Sequence, residues 1–183
     1  MSREPTVRAE VSKPIAVLVM GVCGCGKSTV GQQLARELNA AFIEGDAFHS
    51  AANVAKMAAG TPLTDGDREG WLQALAAQLA QRADRRSVVL ACSALKRRYR
   101  DTLRSGAPAL RIVYLQGERG LLAARMAART GHYMPPALLD SQLAALEVPQ
   151  ADEQAIAIDI AASTEVQVRA ALAQLHSTTG PTP

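Results

Sequence analysis

Eight consecutive residues, Gly21-Val22-Cys23-Gly24-Cys25-Gly26-Lys27-Ser28, follow the pattern G-x-x-x-x-G-K-S/T, a loop whose backbone wraps nucleotide phosphates. The glycines permit unusual backbone angles and let N–H groups approach phosphate oxygens without side-chain interference. Lys27 would reach the β- and γ-phosphates, Ser28 would ligate Mg²⁺, and a helix starting there would aim its positive dipole end at the anion. Gly21 through Thr29 are therefore expected to hold ATP or GTP. The same loop carries two of the three cysteines, Cys23 and Cys25, with Cys92 the third. No second Cys/His pair stands at zinc-ligand spacing, so the thiols read as small loop fillers. The alternative is that the helix N-terminus lowers a thiol pKa and makes the loop sensitive to oxidation.

Further groups able to do chemistry lie at two other places. Glu44 and Asp46 close the short apolar run Ala41-Phe42-Ile43, with Gly45 between them, and ligands of open α/β sheets collect at such strand ends. Arg125 and Arg129 are four residues apart, so they project from one helix face, just before the Gly/Pro-bounded segment Gly131 to Pro136. They read either as the root of a lid that brings positive charge over the phosphates or as a solvated basic face.

The elements that must position these groups follow from periodicity. Ile15 to Met20 is an unbroken apolar run of buried-strand length, and Val30, Leu34 and Leu38 recur at helical spacing after Lys27. Strand, loop and helix thus come in the order the motif requires. Further strands are expected at Ala41–Ile43, Ser87–Ala91, Arg111–Leu115 and Ala155–Ile160. Helices are expected at Ala51–Ala59, Asp65–Arg82, Lys96–Arg104, Arg119–Thr130, Ala137–Glu147 and Thr164–His176, the second with Trp71, Leu72, Leu75 and Leu79 on one face. The alternation predicts an α/β fold: a P-loop NTPase with a parallel five-stranded sheet, helices on both faces and a mobile lid. Strand order does not follow from the pattern.

With 183 residues the chain is expected to form one domain over 14–176, with a lid at about 125–147 and tails at 1–13 and 177–183. A net charge of +3 with dispersed arginines, and only two Phe, three Tyr and one Trp, argue against a nucleic-acid partner. No apolar stretch resembles a signal sequence or approaches membrane-spanning length, so the cytoplasm is expected and a membrane partner is not. Neither a guanine-reading Asn-Lys-x-Asp nor a long aliphatic strand ending in Asp-Glu is present, which weakens GTPase and motor ATPase readings.

Beyond the loop, Glu44-Gly45-Asp46-x-x-His49, Asn53 to Met57, Thr61-Pro62-Leu63-Thr64-Asp65-Gly66-Asp67-Arg68 and Trp71-Leu72 resemble gluconokinases of the small P-loop type. So do Ala91 to Lys96, Tyr99-Arg100-Asp101, Gly131-His132-Tyr133-Met134, and Leu139 to Leu146 with Glu147 and Pro149. The resemblance runs from about Ile15 to about Glu153. It implies ATP-dependent phosphorylation of D-gluconate at its 6-hydroxyl, with Mg²⁺, in a nucleoside-monophosphate-kinase-like homodimer. Two positions depart from the pattern: Ser50, where Pro is common after the His, and Gly66, where an acid is frequent.

A primary alcohol needs a carboxylate in reach to take its proton, and Asp46 is the candidate, a helix-capping Asp being the bland reading. Glu44 would hold Mg²⁺ through water or serve only as a surface acid. Gluconate's carboxylate and hydroxyls call for cations and polar groups, for which Arg68, Lys96, Arg97, His49 and His132 are candidates, Arg68 first for the acid group by similarity to the family. Arg98 and Arg100 are expected to face solvent or a dimer partner. In the lid, Arg125 resembles the adenine-stacking arginine of nucleotide kinases and Arg129 the one reaching the phosphates, where with Lys27 it would serve catalysis. Two alternatives stay open: another small-metabolite kinase of this core, shikimate-like or acting on nucleoside monophosphates, and a nucleotide-switched interaction module.

Overall fold

The apolar run that opens the chain becomes the middle of a sheet. In a computed structural model describing residues 13–128 and 136–177, β1 (Ala16–Met20) is buried along its whole length. It pairs in parallel with β3 (Val88–Ala91) on one side and β4 (Arg111–Gln116) on the other. β2 (Ala41–Glu44) joins β3 and β5 (Ile156–Asp159) joins β4, both parallel, giving the five-stranded order β2-β3-β1-β4-β5. Strands buried on both faces need apolar residues at every position, which is why β1 and β3 carry unbroken runs. β5 is an edge strand and alternates: Ile156 and Ile158 are buried, Ala157 and Asp159 exposed.

Side-chain alternation along the strands builds two cores. Val17, Val19, Val89, Val113 and Ile158 face one side, where α1 (Lys27–Glu37), α5 (Arg119–Ala127), α6 (Pro136–Ala145) and α7 (Thr164–Ser177) cover them through Leu34, Leu122, Leu139 and Ala171. Leu18, Met20, Leu90 and Ile112 face the other, under α3 (Asp65–Ala80) and α4 (Arg97–Gly106). The helix face expected from spacing, Trp71, Leu72, Leu75 and Leu79, is the buried face of α3. The expected α/β architecture, with helices on both faces of a parallel sheet, is the one the chain adopts.

Both positions that depart from the family pattern fit their elements. Ser50 caps α2 (Ala51–Ala58), accepting a hydrogen bond from the Asn53 N–H at 3.2 Å. Gly66 sits in the first turn of α3, whose Thr64/Asp67 capping box is complete. Asp67 is held down to about 2, first by the hydrogen bond from Lys56, then by the backbone and side chain of Thr64.

One expectation is overturned. Arg100 faces neither solvent nor a partner: it is fully buried and forks onto Glu153, Nε to Oε2 at 2.6 Å and Nη2 to Oε1 at 2.7 Å. The helix turns this position inward, next to Tyr99 and Leu103, and a buried guanidinium requires such a partner. Of the expected lid, residues 129–135 lie outside the described residues, as do Arg129 and His132.

Candidate active site

β1 stands at the point where the strand order reverses, the chain returning through β3 on one side and leaving through β4 on the other. Its carboxyl end therefore opens into the crevice where such sheets bind ligands. The phosphate loop leaves β1 there. Gly21 has φ +146°, and a Cβ on it would stand 2.6 Å from the Leu115 carbonyl oxygen. Gly24 has φ +82°, and a Cβ there would meet Met126 Cγ at 2.9 Å. Both positions exclude side chains twice over, by conformation and by space. α1 then begins with a left-handed Gly26, no side-chain cap and no acid in its first turn, which leaves its leading N–H groups to an anion. Lys27 Nζ donates to the Val22 carbonyl at 3.0 Å, folding back over the loop, while Ser28 and Thr29 are exposed.

Both loop thiols are buried, Cys25 completely, and Cys23 Sγ lies 3.4 Å from Met126 Sδ. Packing of this kind fits the loop-filler reading. Cys92, at the end of β3, is pushed up to about 12, mainly by burial. Asp46 and Glu44 add to that shift while the Ala94 backbone hydrogen bond and Lys27 oppose it, so the acids of β2 and the loop lysine act on one spot.

The acceptor side is built around the end of β2. Gly45 lies so close to β3 that a Cβ would stand 2.5 Å from the Ala91 carbonyl oxygen. The chain then makes a 3-10 turn over Gly45–Phe48, exposing Asp46, whose side chain is 70% accessible. His49 closes the turn with a side chain only 4% accessible, its ring stacked 4.2 Å from Trp71 at 17°. Trp71 Nε1 in turn donates to the Gly45 carbonyl at 2.8 Å, locking the turn to α3. His49 Nε2 is 4.0 Å from Asp46 Oδ1.

Across the cleft, Arg68 donates to the carbonyls of Leu63 and Thr64, and among the described residues no carboxylate is within ion-pair reach of it. Its guanidinium stands 5.8 Å from the centre of the Tyr99 ring. Lys96 precedes α4 and bonds both oxygens of Asp65, at 2.9 and 3.1 Å. Arg98 and the Tyr99 hydroxyl also pair with Asp65.

A cleft of about 340 Å³ joins the two sides. Lys27 and Cys23 line it from the phosphate loop; Asp46, His49, Arg68 and Lys96 line it from the acceptor side. Arg97 is not brought in: its side chain reaches Asp152 at 2.8 Å and Asp101 at 3.5 Å, because the first turn of α4 points it toward the turn before β5. Arg125 also stands outside the cleft, donating to the Ile160 carbonyl at 2.6 Å beyond β5. Asp65, Tyr99 and Gln142 also line the cleft; each lies in a segment that carries the motif resemblance, but the sequence assigned none of them a role in the site. Only their partners, distant in sequence, mark them.

Hard oxygen donors suit Mg²⁺; Ser28 is exposed at the start of α1, and the Glu44 carboxylate acts on the same Cys92 thiol as the loop lysine. Among the described residues no cluster of three or more His, Cys, Asp or Glu could hold a metal ion.

Residues 17–149 match a family model described as an AAA domain. The chain is 45% identical over 146 residues to the thermoresistant gluconokinase of Escherichia coli, covering 78% of this chain and 83% of that one. It is 48% identical over 147 residues to a gluconokinase of Gluconobacter oxydans, covering 80% and 83%. The crystal structure of a gluconokinase from Sinorhizobium meliloti superposes with a TM-score of 0.82 at 46% identity, over 91% of this chain and 98% of that one.

Proposed function

Because the chain belongs to the gluconokinase family and is an ATP-dependent kinase of gluconate, we propose how its own residues carry out the transfer. The observation that carries the proposal is the single cleft lined by the phosphate loop at one end and by Asp46, His49, Arg68 and Lys96 at the other. Lys27 exchanges the Val22 carbonyl for the β- and γ-phosphates, and the loop N–H groups hold the remaining oxygens. Arg68, a cleft cation with no carboxylate partner among the described residues, takes the gluconate carboxylate. Lys96, already neutralised by Asp65, and His49 take sugar hydroxyls. Asp46, exposed at the cleft, accepts the proton of the 6-hydroxyl as that oxygen bonds to phosphorus and the bond to ADP breaks.

Mg²⁺ bound with ATP, held by Ser28 and through water by Glu44, would neutralise the phosphate oxygens. Arg125 at the nucleotide end, and Arg129 and His132 in a lid over 125–147, complete the proposal, with one kinase domain spanning 14–176. The motif resemblance supports a homodimer, and the dispersed charge, scarce aromatics and lack of a long apolar run in the sequence support a cytoplasmic place with neither nucleic-acid nor membrane partner. Among the described residues no helix is long and apolar enough to cross a membrane.

The test is ADP release with Mg-ATP across D-gluconate, shikimate, AMP and hexoses against a no-acceptor blank, run on wild type and Asp46→Asn. Selective turnover of gluconate is expected, with kcat about 100-fold or more lower in the variant and ATP affinity within about twofold. Turnover of another acceptor overturns the substrate, acceptor-independent release favours a switch module, and near wild-type turnover by the variant removes Asp46 from the base role.

A further inference from the structure

Gln142, on α6, accepts a hydrogen bond from the Cys23 backbone N–H at 2.7 Å, across 119 residues of chain. A backbone N–H can only donate, so the carboxamide oxygen must face the loop and its NH₂ must point elsewhere. Cys23 is the third residue of the phosphate loop, and both it and Gln142 line the cleft. An acceptor oxygen therefore sits on a phosphate-loop amide, where a phosphate oxygen would repel it. The carboxamide has a second face, and turned over it would donate to that phosphate oxygen.

The helix carrying Gln142 is held on either side of that residue. Leu139 is buried in the core. Just past the end of α6, Glu147 N–H donates to the Leu95 carbonyl at 2.9 Å, and the Glu147 carboxylate accepts from the first N–H of α4, that of Arg97, at 2.6 Å. α6 thus spans from the phosphate loop to the segment that presents Lys96.

We propose that Gln142 is a two-position latch on the phosphate loop: its oxygen holds the Cys23 N–H while no phosphate is present, and its NH₂ donates to the transferring phosphoryl group once ATP arrives. The latched form competes with ATP, so apparent nucleotide affinity is reduced by the fraction latched. The donating form favours the transition state, in which charge spreads over the phosphoryl oxygens. This rests on the kinase reading of the loop but not on which acceptor is used.

Gln142→Glu keeps an acceptor, removes the donor and adds a negative charge beside the loop; Gln142→Ala removes both donor and acceptor without adding charge. Calorimetric titration with Mg-ATP, without gluconate, should show affinity about tenfold or more weaker in the glutamate variant. In the alanine variant it should be equal or up to about fivefold tighter. With gluconate saturating, kcat of the alanine variant should fall roughly tenfold to hundredfold. Equal weakening of ATP binding in both variants would assign Gln142 a packing role and overturn the latch, as would an alanine variant with wild-type kcat. If gluconate is not turned over but the two affinities split as described, the latch stands and the substrate reading falls.

Discussion

His49 shows how burial decides what a titratable group near the reacting atoms can do. Its ring is packed against Trp71, and Nδ1 is buried with no hydrogen-bond partner among the described residues. Burial lowers its pKa from the ordinary value near 6.5; the Asp46 charge works to raise it and the Arg68 charge to lower it further. The ring is therefore neutral at pH 7, which leaves the positive charge facing gluconate to Arg68, since Lys96 is paired with Asp65. Because the folded pKa is the lower one, the unfolded chain binds the extra proton first as pH falls. The contribution of His49 to stability is thus whole above about pH 6.5 and declines as pH drops from there toward the folded value. Urea unfolding between pH 7.5 and 5.5 should show wild type losing more stability than His49→Phe, which keeps the stack and cannot titrate. Parallel losses would mean that the histidine titrates alike in both states. Asp46 was legible in the sequence as an acid at a strand end, and His49, Arg68 and Lys96 as the cations and polar groups that the motif resemblance calls for, whereas the lack of any carboxylate beside Arg68 among the described residues was not.

Between elements, the close approach of β2 and β3 at Gly45 sets where Asp46 stands. A methyl at Gly45 would stand 2.5 Å from the Ala91 carbonyl oxygen, a backbone atom that cannot move without shifting β3. Gly45→Ala should destabilise the protein by about 1–3 kcal/mol and lower kcat, because the strand end that presents Asp46 must move. Gly66→Ala is the control: the nearest atom to its added carbon is Thr64 Oγ1 at 3.9 Å, and alanine favours a helix by up to about 1 kcal/mol over glycine. Thermal melts together with gluconate-dependent rates check both, and a Gly45→Ala protein as stable and active as wild type would show that the strands separate freely. Sequence placed both glycines beside candidate residues but did not tell them apart. One is crowded by a strand remote in the chain, and the other faces open space.

Across the whole molecule, the buried Arg100–Glu153 pair ties the end of β3, α4 and the turn before β5 together. Arg100 Nη1 also donates to the Ala94 and Leu95 carbonyls, each at 3.1 Å, just ahead of Lys96. Arg100→Met would leave the buried Glu153 carboxylate only the Arg104 guanidinium at 3.5 Å and the Gln150 N–H at 3.2 Å, and should cost about 3 kcal/mol in denaturant unfolding, while adding Glu153→Met should restore much of it. A loss under about 1 kcal/mol in the single variant would show that water reaches Glu153. Sequence by itself determined the phosphate loop, the five apolar strands, the amphipathic face of α3 and the acids at the end of β2, because each is written in neighbouring residues through glycine geometry or a period of 2 or 3.6. Tertiary structure alone decided the order β2-β3-β1-β4-β5, the burial of Arg100, the gathering of Lys96, Arg98 and Tyr99 on Asp65, and the reach of Gln142 to Cys23. These join residues 31 to 119 positions apart, and no local pattern records which distant groups the packing of a sheet will bring into hydrogen-bond distance.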